Sequence, residues 1–311
     1  MRSLDVQDTK PDVTISLRKV GAIGIKMPIG FVSFEKKPVT VIPTFNVFID
    51  LPSKQKGIHA SRNYEVISET LSQYVGKTYK LENLCASVAR ELLTRHRYAS
   101  RSEVKGQGQA IFERHAPKSG MTSYEHCNIM AKAIAKKMPD GNIVVKKMVG
   151  VGVTGITACP CAQEILREKS KLNIRRTSKL RKDLIERLVA QVPVATHMQR
   201  TYGTVTLDVP DGIEVDAMRL VHVIEDSMSA STFELLKRPD EGEIVRVAVS
   251  RPRFAEDSIR YMMRNMVKRF PDLSDDVRLV FTARSRESIH KHDFYAQRSI
   301  TIGEIRRELR H

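Results

Sequence analysis

The amino-acid sequence predicts an α+β fold with antiparallel sheets. Three observations favour it: segments dense in β-branched residues, segments whose apolar residues recur at helical spacing, and one order of elements that occurs twice along the chain. Runs of strands, then paired helices, then strands are typical of α+β proteins. No repeat of residue identity accompanies the repeated order, so the duplication rests on element order alone.

The first half of the chain, residues 1–150, holds one complete set of elements. Its strands are predicted from alternating or continuous apolar residues, and its helices from apolar residues three or four positions apart. In order, the predicted elements are strands at 12–25 and 39–51, helices at 63–75 and 81–96, and strands at 98–113 and 141–160. Glycines in the last strand predict a bulge or a bend.

The second half, residues 151–311, opens within that last strand and repeats the order. A basic insertion at about 166–193 follows, and the remaining predicted elements are a strand at 203–209, helices at 216–229 and 255–270, a strand at 276–285 and a helix at 301–311. A chain of 311 residues is long enough for two mid-sized domains, each with its own core.

Composition predicts a soluble cytoplasmic protein. The first ten residues carry charges and no apolar run, which argues against a secretory signal. No window has the roughly 18 uncharged apolar residues that a membrane-spanning helix needs, so we expect no membrane partner. Of only four cysteines, Cys85 and Cys127 lie far from the other two, which argues against a disulfide framework and fits a reducing compartment.

The charge balance favours an anionic partner, because 52 basic and 36 acidic residues give a net charge of +16. Residues 167–187 alone hold nine Lys or Arg against three acids. Such a run is either a solvated helical insertion or a nucleic-acid site. The lack of tryptophan and of aromatic–basic alternation argues against a single-strand binder, and we expect no stable nucleic-acid partner.

Two cysteines one residue apart, Cys159 and Cys161, flank Pro160. In an extended segment both side chains would point to the same face, yet a disulfide across one residue would lie near the limit of about 7 Å between Cα atoms. The C-x-x-C spacing of redox sites is absent here. Two interpretations stay open: one thiolate is a metal ligand or nucleophile, or both are small core residues.

Further polar residues occupy positions that suit chemistry. His197 and Arg200 lie at the start of a strand, Glu241 on a predicted loop, Glu256 at the start of a helix, and Glu287, His290 and His292 near the C-terminus. Cysteine, histidine and glutamate together can supply the three protein ligands of an open catalytic site for a divalent metal. Each also has a structural explanation, as a surface or core histidine or as a first-turn acid that favours the helix dipole.

Seven ordered motifs resemble the archaeal branch of the type IB GTP cyclohydrolases: LDVQDTKPDVTISLRKVG, LPSKQKGIHASR, KKMVGVGVTGITACPCAQE, ATHMQR, ELLKRPDE, RFAED and ESIHKHDFYA. The resemblance runs from about Leu4 to the C-terminus. It implies two tandem tunnelling-fold units (ββααββ) per chain, assembled as a homotetramer with active sites between subunits. The length of the basic insertion favours the archaeal branch over the bacterial relatives.

The resemblance also implies a reaction. GTP would lose C8 as formate, and diphosphate would leave, giving 7,8-dihydroneopterin 2′,3′-cyclic phosphate, the first step toward tetrahydromethanopterin or a related folate-like carrier. The metal would be Fe(II), with Zn(II) or Mn(II) as substitutes. The alternative within enzymes is the bacterial-type product, 7,8-dihydroneopterin triphosphate. The alternative in another class is an RNA-binding or RNA-modification factor.

Site roles carry over from the same resemblance. The metal ligands map onto Cys159 (also expected among the catalytic residues), His197 and Glu241, with Cys161 as a neighbour or as the alternative ligand. Glu256 matches the acid that holds the guanine edge. Glu287, His290 and His292 match a motif beside the metal, and either histidine can move protons near neutral pH. For the triphosphate the candidates are Lys56, His59, Ser61 and Arg62, with Arg200 and Lys237 behind them.

Overall fold

The structure, a computed structural model, describes residues 6–26, 29–34, 37–72, 80–210 and 213–310. It confirms the α+β class with an antiparallel sheet. Within these ranges nine strands form the main sheet, two more form a separate hairpin, and eight α-helices accompany them. None of the helices in this part of the chain is long and apolar enough to cross a membrane.

The strands follow one another in the main sheet in the order β1-β4-β5-β6-β7-β8-β10-β11, with β9 paired to β7 and β2 paired to β3 in the hairpin. Their bounds are β1 (Leu17–Lys26), β2 (Ile29–Phe34), β3 (Lys37–Val41), β4 (Thr44–Leu51), β5 (Arg101–His115), β6 (Thr122–Lys137), β7 (Ile143–Ala158), β8 (Met198–Val209), β9 (Ala230–Ser231), β10 (Arg278–Arg286) and β11 (Phe294–Thr301).

The helices occupy the connections between strands. Their bounds are α1 (Ala60–Ser72), α2 (Leu81–Arg95), α3 (Pro160–Thr177), α4 (Lys182–Gln191), α5 (Ala217–Glu225), α6 (Arg238–Ser250), α7 (Ala255–Arg269) and α8 (Ile302–Glu308). Helices α3 and α4 form the basic insertion, and only Gln163, Ile185 and Val189 are buried on them. The insertion is therefore helical and solvated over most of its surface, as one of the two interpretations of its charge run predicts.

The chain divides into two compact units whose segments alternate along the sequence. Unit 1 comprises residues up to 111, with 128–151 and 206–218, and unit 2 comprises residues 112–127, 152–205 and 219–311. The long strands β5 to β8 each contribute residues to both units. The predicted domain division at residue 150 stays a prediction.

The core of unit 1 contains the inward face of β4 and one face of α2. Strand β4 alternates half-buried and buried positions, as the sequence pattern predicts. Helix α2 approaches β5 closely at Gly106. A Cβ at this position would lie 3.0 Å from Phe45, 3.1 Å from Cys85 and 3.2 Å from Leu81. Glycine at this position lets α2 pack against the strands.

The core of unit 2 is built the same way around β8. A Cβ on Gly203 would lie 2.6 Å from Ile224, 2.7 Å from Met262 and 2.8 Å from Met228, all side-chain atoms. Helices α5 and α7 therefore approach the strand at a position that admits no side chain. Met262, Met266 and Ile259 bury the inner face of α7, and the apolar spacing of that helix predicts this burial.

Most predicted elements are confirmed, with boundaries shifted by a few residues. The predicted strand 39–51 is two strands, because Pro43 cannot donate a backbone hydrogen bond and the ladder stops there. The predicted helix 63–75 begins earlier, at Ala60, and its last three residues lie outside the described ranges, as does residue 311 of the last predicted helix.

Five strands and helices of the described chain were not predicted: β2, β6, β9, β11 and α6. Strand β6 alternates buried and exposed residues, but its lysines and alanines are weak strand formers and hide the pattern. Helix α6 begins at a proline-containing turn that suggests a loop, so the prediction that Glu241 lies on a loop is wrong. Pro239 belongs to the first turn of the helix, where a missing N–H costs nothing.

Candidate active site

The turn from β7 into α3 places Cys159. Strand β7 ends at the buried Ala158, Cys159 is the N-cap residue with extended backbone angles, and Pro160 occupies the first turn of the helix. The backbone N–H of Cys159 donates to the carbonyl of His197 at 3.1 Å, and the Thr196 hydroxyl donates to the Cys159 carbonyl at 2.7 Å. Cys159 and His197, predicted as a pair of metal ligands, are thus held side by side by their backbones.

The segment through the two cysteines is not extended, because the helix has begun at Pro160. Cys161 is exposed on the first turn, whereas Cys159 is half-buried, and all four cysteines of the chain are free thiols. The interpretation of Cys161 as a core residue is therefore wrong. The different exposure of the two side chains favours Cys159 as the thiol of the site.

The imidazole of His197 has a defined orientation. Its Nδ1 lies 3.0 Å from Oε1 of Gln199, and the Ser288 hydroxyl oxygen lies 3.4 Å from the same nitrogen. An amide oxygen can only accept, so this contact is a hydrogen bond in the tautomer with the proton on Nδ1, and that tautomer offers the Nε2 lone pair to a ligand. A histidine whose other nitrogen is fixed by a hydrogen bond is the usual form of a metal-ligating imidazole.

Glu241 lies on the first turn of α6, and its neighbour Asp240 anchors that turn. The buried Asp240 carboxylate accepts the backbone N–H groups of Lys118 at 2.8 Å and Ser119 at 2.9 Å, the Ser119 hydroxyl at 2.6 Å and the Lys237 N–H at 2.9 Å. Burial would raise the pKa of Asp240, but these donors outweigh it and hold the pKa well below its usual range. The exposed Glu241 therefore projects from a rigid turn.

The three predicted metal ligands border one apolar cluster of unit 2. The cluster contains Ala158, Ala230, Ile244 and Ala248, with Ile156, Met198, Phe233, Leu236 and Val247 packed against it. Cys159 directly follows a member, His197 directly precedes one, and Glu241 lies three positions before one on the same helix face. Within the described ranges, however, no three Cys, His, Asp or Glu side chains are close enough together to hold a metal ion.

The loop at 287–293 brings its motif to the His197 side of this cluster. Ser288 reaches His197, and Glu287 next to it is half-buried and accepts the Ser285 hydroxyl at 2.8 Å. The rings of His290 and His292 are exposed and stacked, with centroids 5.4 Å apart. Both rings meet Phe294 edge-on, at 5.9 Å and 5.2 Å. The two histidines therefore share one side of the loop, although the loop is not a strand.

Glu256 lies on the first turn of α7, whose start is tied to β7 because the Arg253 N–H donates to the Ala158 carbonyl at 3.0 Å. The acid that caps this helix is its neighbour: Asp257 accepts the Phe254 N–H at 3.1 Å and pairs with Arg260 at 2.7 Å. Glu256 is exposed and caps nothing. Because Glu256 lies in the first turn, its structural explanation as a partner of the helix dipole stands beside the functional one.

The phosphate candidates at 56–62 belong to unit 1, whereas the other candidate site residues belong to unit 2. His59 Nε2 lies 3.1 Å from an Asp8 oxygen, which also accepts from Gln55 at 2.8 Å. The hydrogen bond from Gln55, followed by that from His59, lowers the pKa of Asp8. Lys56 and Ser61 are exposed and Arg62 is half-buried at the start of α1.

A cavity of about 600 Å³ opens in unit 2 beside Met198, the residue that follows His197. Arg200, which is predicted to contact the substrate, lines this cavity, and so do Arg114 and Arg286, which the sequence motifs did not indicate. Arg114 donates to Glu225 at 2.6 Å and lies over the ring of Phe233 at 5.4 Å. Lys237, the other predicted contact, is the exposed N-cap residue of α6.

Comparison with known proteins identifies the family. The family described as "Type I GTP cyclohydrolase folE2" matches residues 4–296. The chain belongs to this family. It is 44% identical to GTP cyclohydrolase MptA of Methanococcus aeolicus over 98% of this chain and 99% of that protein, and 42% identical to GTP cyclohydrolase MptA 2 of Methanocella arvoryzae over 98% of each. The predicted resemblance to these enzymes is confirmed.

Solved structures add evidence about the fold. A uricase from Bacillus fastidious superposes with a TM-score of 0.53 at 10% identity over 95% of this chain and 97% of that one. A urate oxidase from Bacillus sp. TB-90 gives 0.52 at 11% identity over 93% and 99%. These are tunnelling-fold proteins. At this identity the similarity concerns the fold alone.

Proposed function

We propose that this chain is a metal-dependent GTP cyclohydrolase that converts GTP into 7,8-dihydroneopterin 2′,3′-cyclic phosphate, with release of formate and diphosphate, at the first step of tetrahydromethanopterin or folate-like pterin synthesis. Membership of the family makes it a GTP cyclohydrolase, a hydrolase that acts on a cyclic amidine. The observation that carries the site assignment is the contact group of Cys159, His197 and Ser288, which joins three separate motifs in unit 2.

Cys159, His197 and Glu241 are the residues that would hold the metal. They offer one soft, one borderline and one hard donor, a set that suits Fe(II) and also Zn(II) or Mn(II). The orientation of the His197 ring, the half-buried thiol of Cys159 and the exposed carboxylate of Glu241 are compatible with that role. A divalent ion held there would supply a water molecule that is acidic enough to react near neutral pH.

The chain's own groups would handle the purine and the protons. A carboxylate at Glu256 can accept both N1–H and the 2-amino group of guanine, an edge with two donors that adenine lacks. Opening the imidazole ring and closing the pterin ring need protons to be removed and returned, and the stacked His290 and His292 are solvent-accessible bases for that work. Glu287 would orient the loop through Ser285.

The proposed assembly is a homotetramer of tandem tunnelling-fold units with active sites between subunits. The order of strands, helices and strands occurs once around α1 and α2 and again around α5, α6 and α7, which supports the tandem arrangement. In such an assembly the segment with Lys56, His59, Ser61 and Arg62 would complete a site of a neighbouring copy. The Asp8 contact of His59 would then compete with phosphate for that histidine.

An anoxic incubation tests the proposal. Purified full-length chain with GTP and Fe(II) should release formate and diphosphate and yield a pterin with the mass of the cyclic phosphate. Formate together with a pterin triphosphate would leave the cyclohydrolase assignment standing but overturn the proposed product. The absence of formate with Fe(II), Zn(II) and Mn(II) alike would contradict the function.

A further inference from the structure

Arg200 and Arg286 lie opposite each other on neighbouring strands. Strands β8 and β10 are adjacent in the sheet, and the hydroxyls of Thr204 and Thr282 are 2.6 Å apart across them. A hydroxyl contact this short pairs Thr204 with Thr282 across the two strands, either directly or on the diagonal. Moving four residues from this pair along each antiparallel strand reaches Arg200 on β8 and Arg286 on β10.

A second contact, just beyond the ends of the two strands, shows that they run in opposite directions. The Ser288 hydroxyl lies 3.4 Å from Nδ1 of His197. Residue numbers therefore decrease along β8 in the direction in which they increase along β10. Each arginine is an even number of residues from the threonine on its own strand, so both arginines lie on the same face of the sheet as the threonines. Both line the cavity of about 600 Å³ in unit 2.

The acidic residues of this cavity have other partners. Glu225 binds Arg114 at 2.6 Å, Glu234 lies 3.7 Å from His126, and Glu125 accepts the Glu234 N–H at 2.8 Å. Arg200 and Arg286 are exposed, and within the described ranges neither has an acidic partner. The two guanidinium groups thus share one cavity wall without a carboxylate between them.

Like charges in a directly opposed cross-strand pair destabilise a sheet. A bridging anion removes that repulsion, and two guanidinium forks match the oxygens of a phosphate chain. We propose that Arg200 and Arg286 form a two-arginine clamp for the phosphate chain of the nucleotide substrate. This inference rests on the proposed function, since it names the phosphate subsite of the same reaction. Along β8 the subsite begins at Arg200, three residues after the candidate metal ligand His197.

The test uses three single variants of the full-length protein. Arg200→Ala and Arg286→Ala each remove one side of the clamp. Arg278→Ala is the matched control, because Arg278 is an exposed arginine on the same strand and face that does not line the cavity. Calorimetric titration with inorganic tripolyphosphate measures anion binding without any turnover, and GTP kinetics and metal content are measured beside it.

Loss of one charge-assisted contact should weaken tripolyphosphate binding and raise the KM for GTP roughly 10- to 100-fold, with metal content unchanged. Arg286→Lys should fall between wild type and Arg286→Ala, because lysine keeps the charge but not the fork. The Arg278→Ala control should match wild type. Equal tripolyphosphate affinity in wild type, Arg200→Ala and Arg286→Ala would overturn the clamp even if GTP turnover is normal. Tripolyphosphate binding that requires both arginines, without formate release from GTP, would keep the clamp and reject the reaction.

Discussion

The buried polar groups of unit 1 and the candidate site residues of unit 2 differ in how fully protein atoms occupy them. In unit 1, Glu103 is 1% exposed and lies within reach of four cations: Lys19 at 2.7 Å, Arg101 at 2.8 Å, Lys132 at 3.6 Å and Lys105 at 3.8 Å. Burial opposes ionisation of Glu103, but the hydrogen bonds from Lys19 and Arg101 outweigh it and lower the pKa to about 2. This carboxylate has no capacity left for a ligand.

The same saturation holds at the buried histidine of unit 1. His96 is fully buried between the Tyr98 hydroxyl at 2.9 Å and the Asn63 side-chain oxygen at 3.0 Å. Its two ring nitrogens are both occupied. In unit 2, by contrast, His197 has one nitrogen fixed and one left with its lone pair, and Glu256 is exposed beside an acid that does the capping.

This difference separates polar groups that stabilise the fold from polar groups that can meet a ligand. A buried group whose partners are all protein atoms contributes to stability, and its replacement should change the free energy of unfolding rather than turnover. A group held by one partner and open on the other side is positioned for chemistry.

The largest effect is expected at Glu256. Glu256→Gln should lower kcat/KM for GTP by roughly 100-fold or more, because an amide cannot accept both guanine donors and leaves one unpaired. Asp257→Asn is the matched control on the same helix turn, with a stability loss of about 1 kcal/mol from the weakened cap and nearly normal kinetics. Normal turnover of Glu256→Gln would reduce this residue to a partner of the helix dipole.

A smaller effect, on stability alone, is expected at Glu103. Glu103→Gln should lower the free energy of unfolding by roughly 2 kcal/mol, less than a fully buried pair because the cations are partly exposed. Glu69→Gln, which breaks an exposed pair with Arg95, should cost at most about 0.5 kcal/mol. Urea unfolding measures both variants. A loss of metal or of GTP turnover in folded Glu103→Gln protein would break the division between the units.

Acidification should weaken unit 1 through His96. Burial is the main cause that lowers the pKa of this histidine to about 4, with Arg62 and His59 adding repulsion. Between the two pKa values the unfolded chain binds a proton at His96 and the folded chain does not. The stability that neutral His96 contributes is therefore complete above about pH 6.5 and is lost as the pH falls toward 4. The loss is at most about 3 kcal/mol.

The measurement is urea unfolding of wild type and His96→Gln between pH 7.5 and 4.5. Glutamine does not titrate, so the difference in unfolding midpoint between the two proteins should shift in favour of the variant as the pH falls. A difference that stays constant with pH would show that His96 binds its proton as readily in the folded protein as in the unfolded chain.

The smallest effect on catalysis is expected in the basic insertion. Changing Arg175, Arg176, Lys179, Arg181 and Lys182 together to Gln keeps good helix formers and should leave GTP turnover nearly unchanged. If the insertion binds RNA instead, wild type should bind RNA with a steep salt dependence and the variant should lose much of that slope. A salt titration against RNA beside the GTP assay separates the two. RNA binding that needs these residues, without formate release, would favour the RNA-binding alternative.

The sequence predicted the fold class and most elements because their apolar patterns match their burial. It missed β6, where the buried face consists largely of alanine, and α6, where Pro239 and Gly242 suggest a loop. The signal for α6 was present, since proline belongs in a first turn and the acids that follow it favour the helix dipole. Gly242 has nothing within 4 Å of a Cβ position, so its place in the helix reflects tolerance rather than need.

For the site, the motifs indicated the residues but not their arrangement. Pro160 could have predicted that a helix starts after Cys159 and that Cys161 therefore points elsewhere. The opposition of Arg200 and Arg286 needed the register between two strands 78 residues apart at Thr204 and Thr282, which no local pattern specifies. Sequence patterns identify chemistry, whereas strand register determines which groups meet.

Cys159 at the β7–α3 turn and His197 beside it, each held by protein atoms on one side only, are proposed to hold the catalytic metal. Cys159→Ala and Cys161→Ala are a matched pair, since both remove a thiol from the same turn and only Cys159 lies against His197. Bound iron per chain is measured after anoxic Fe(II) loading, together with formate released from GTP labelled at C8. Cys159→Ala should lose both the iron and the formate while keeping the wild-type unfolding midpoint, and Cys161→Ala should keep both. Retention of iron and formate release by Cys159→Ala would contradict the claim.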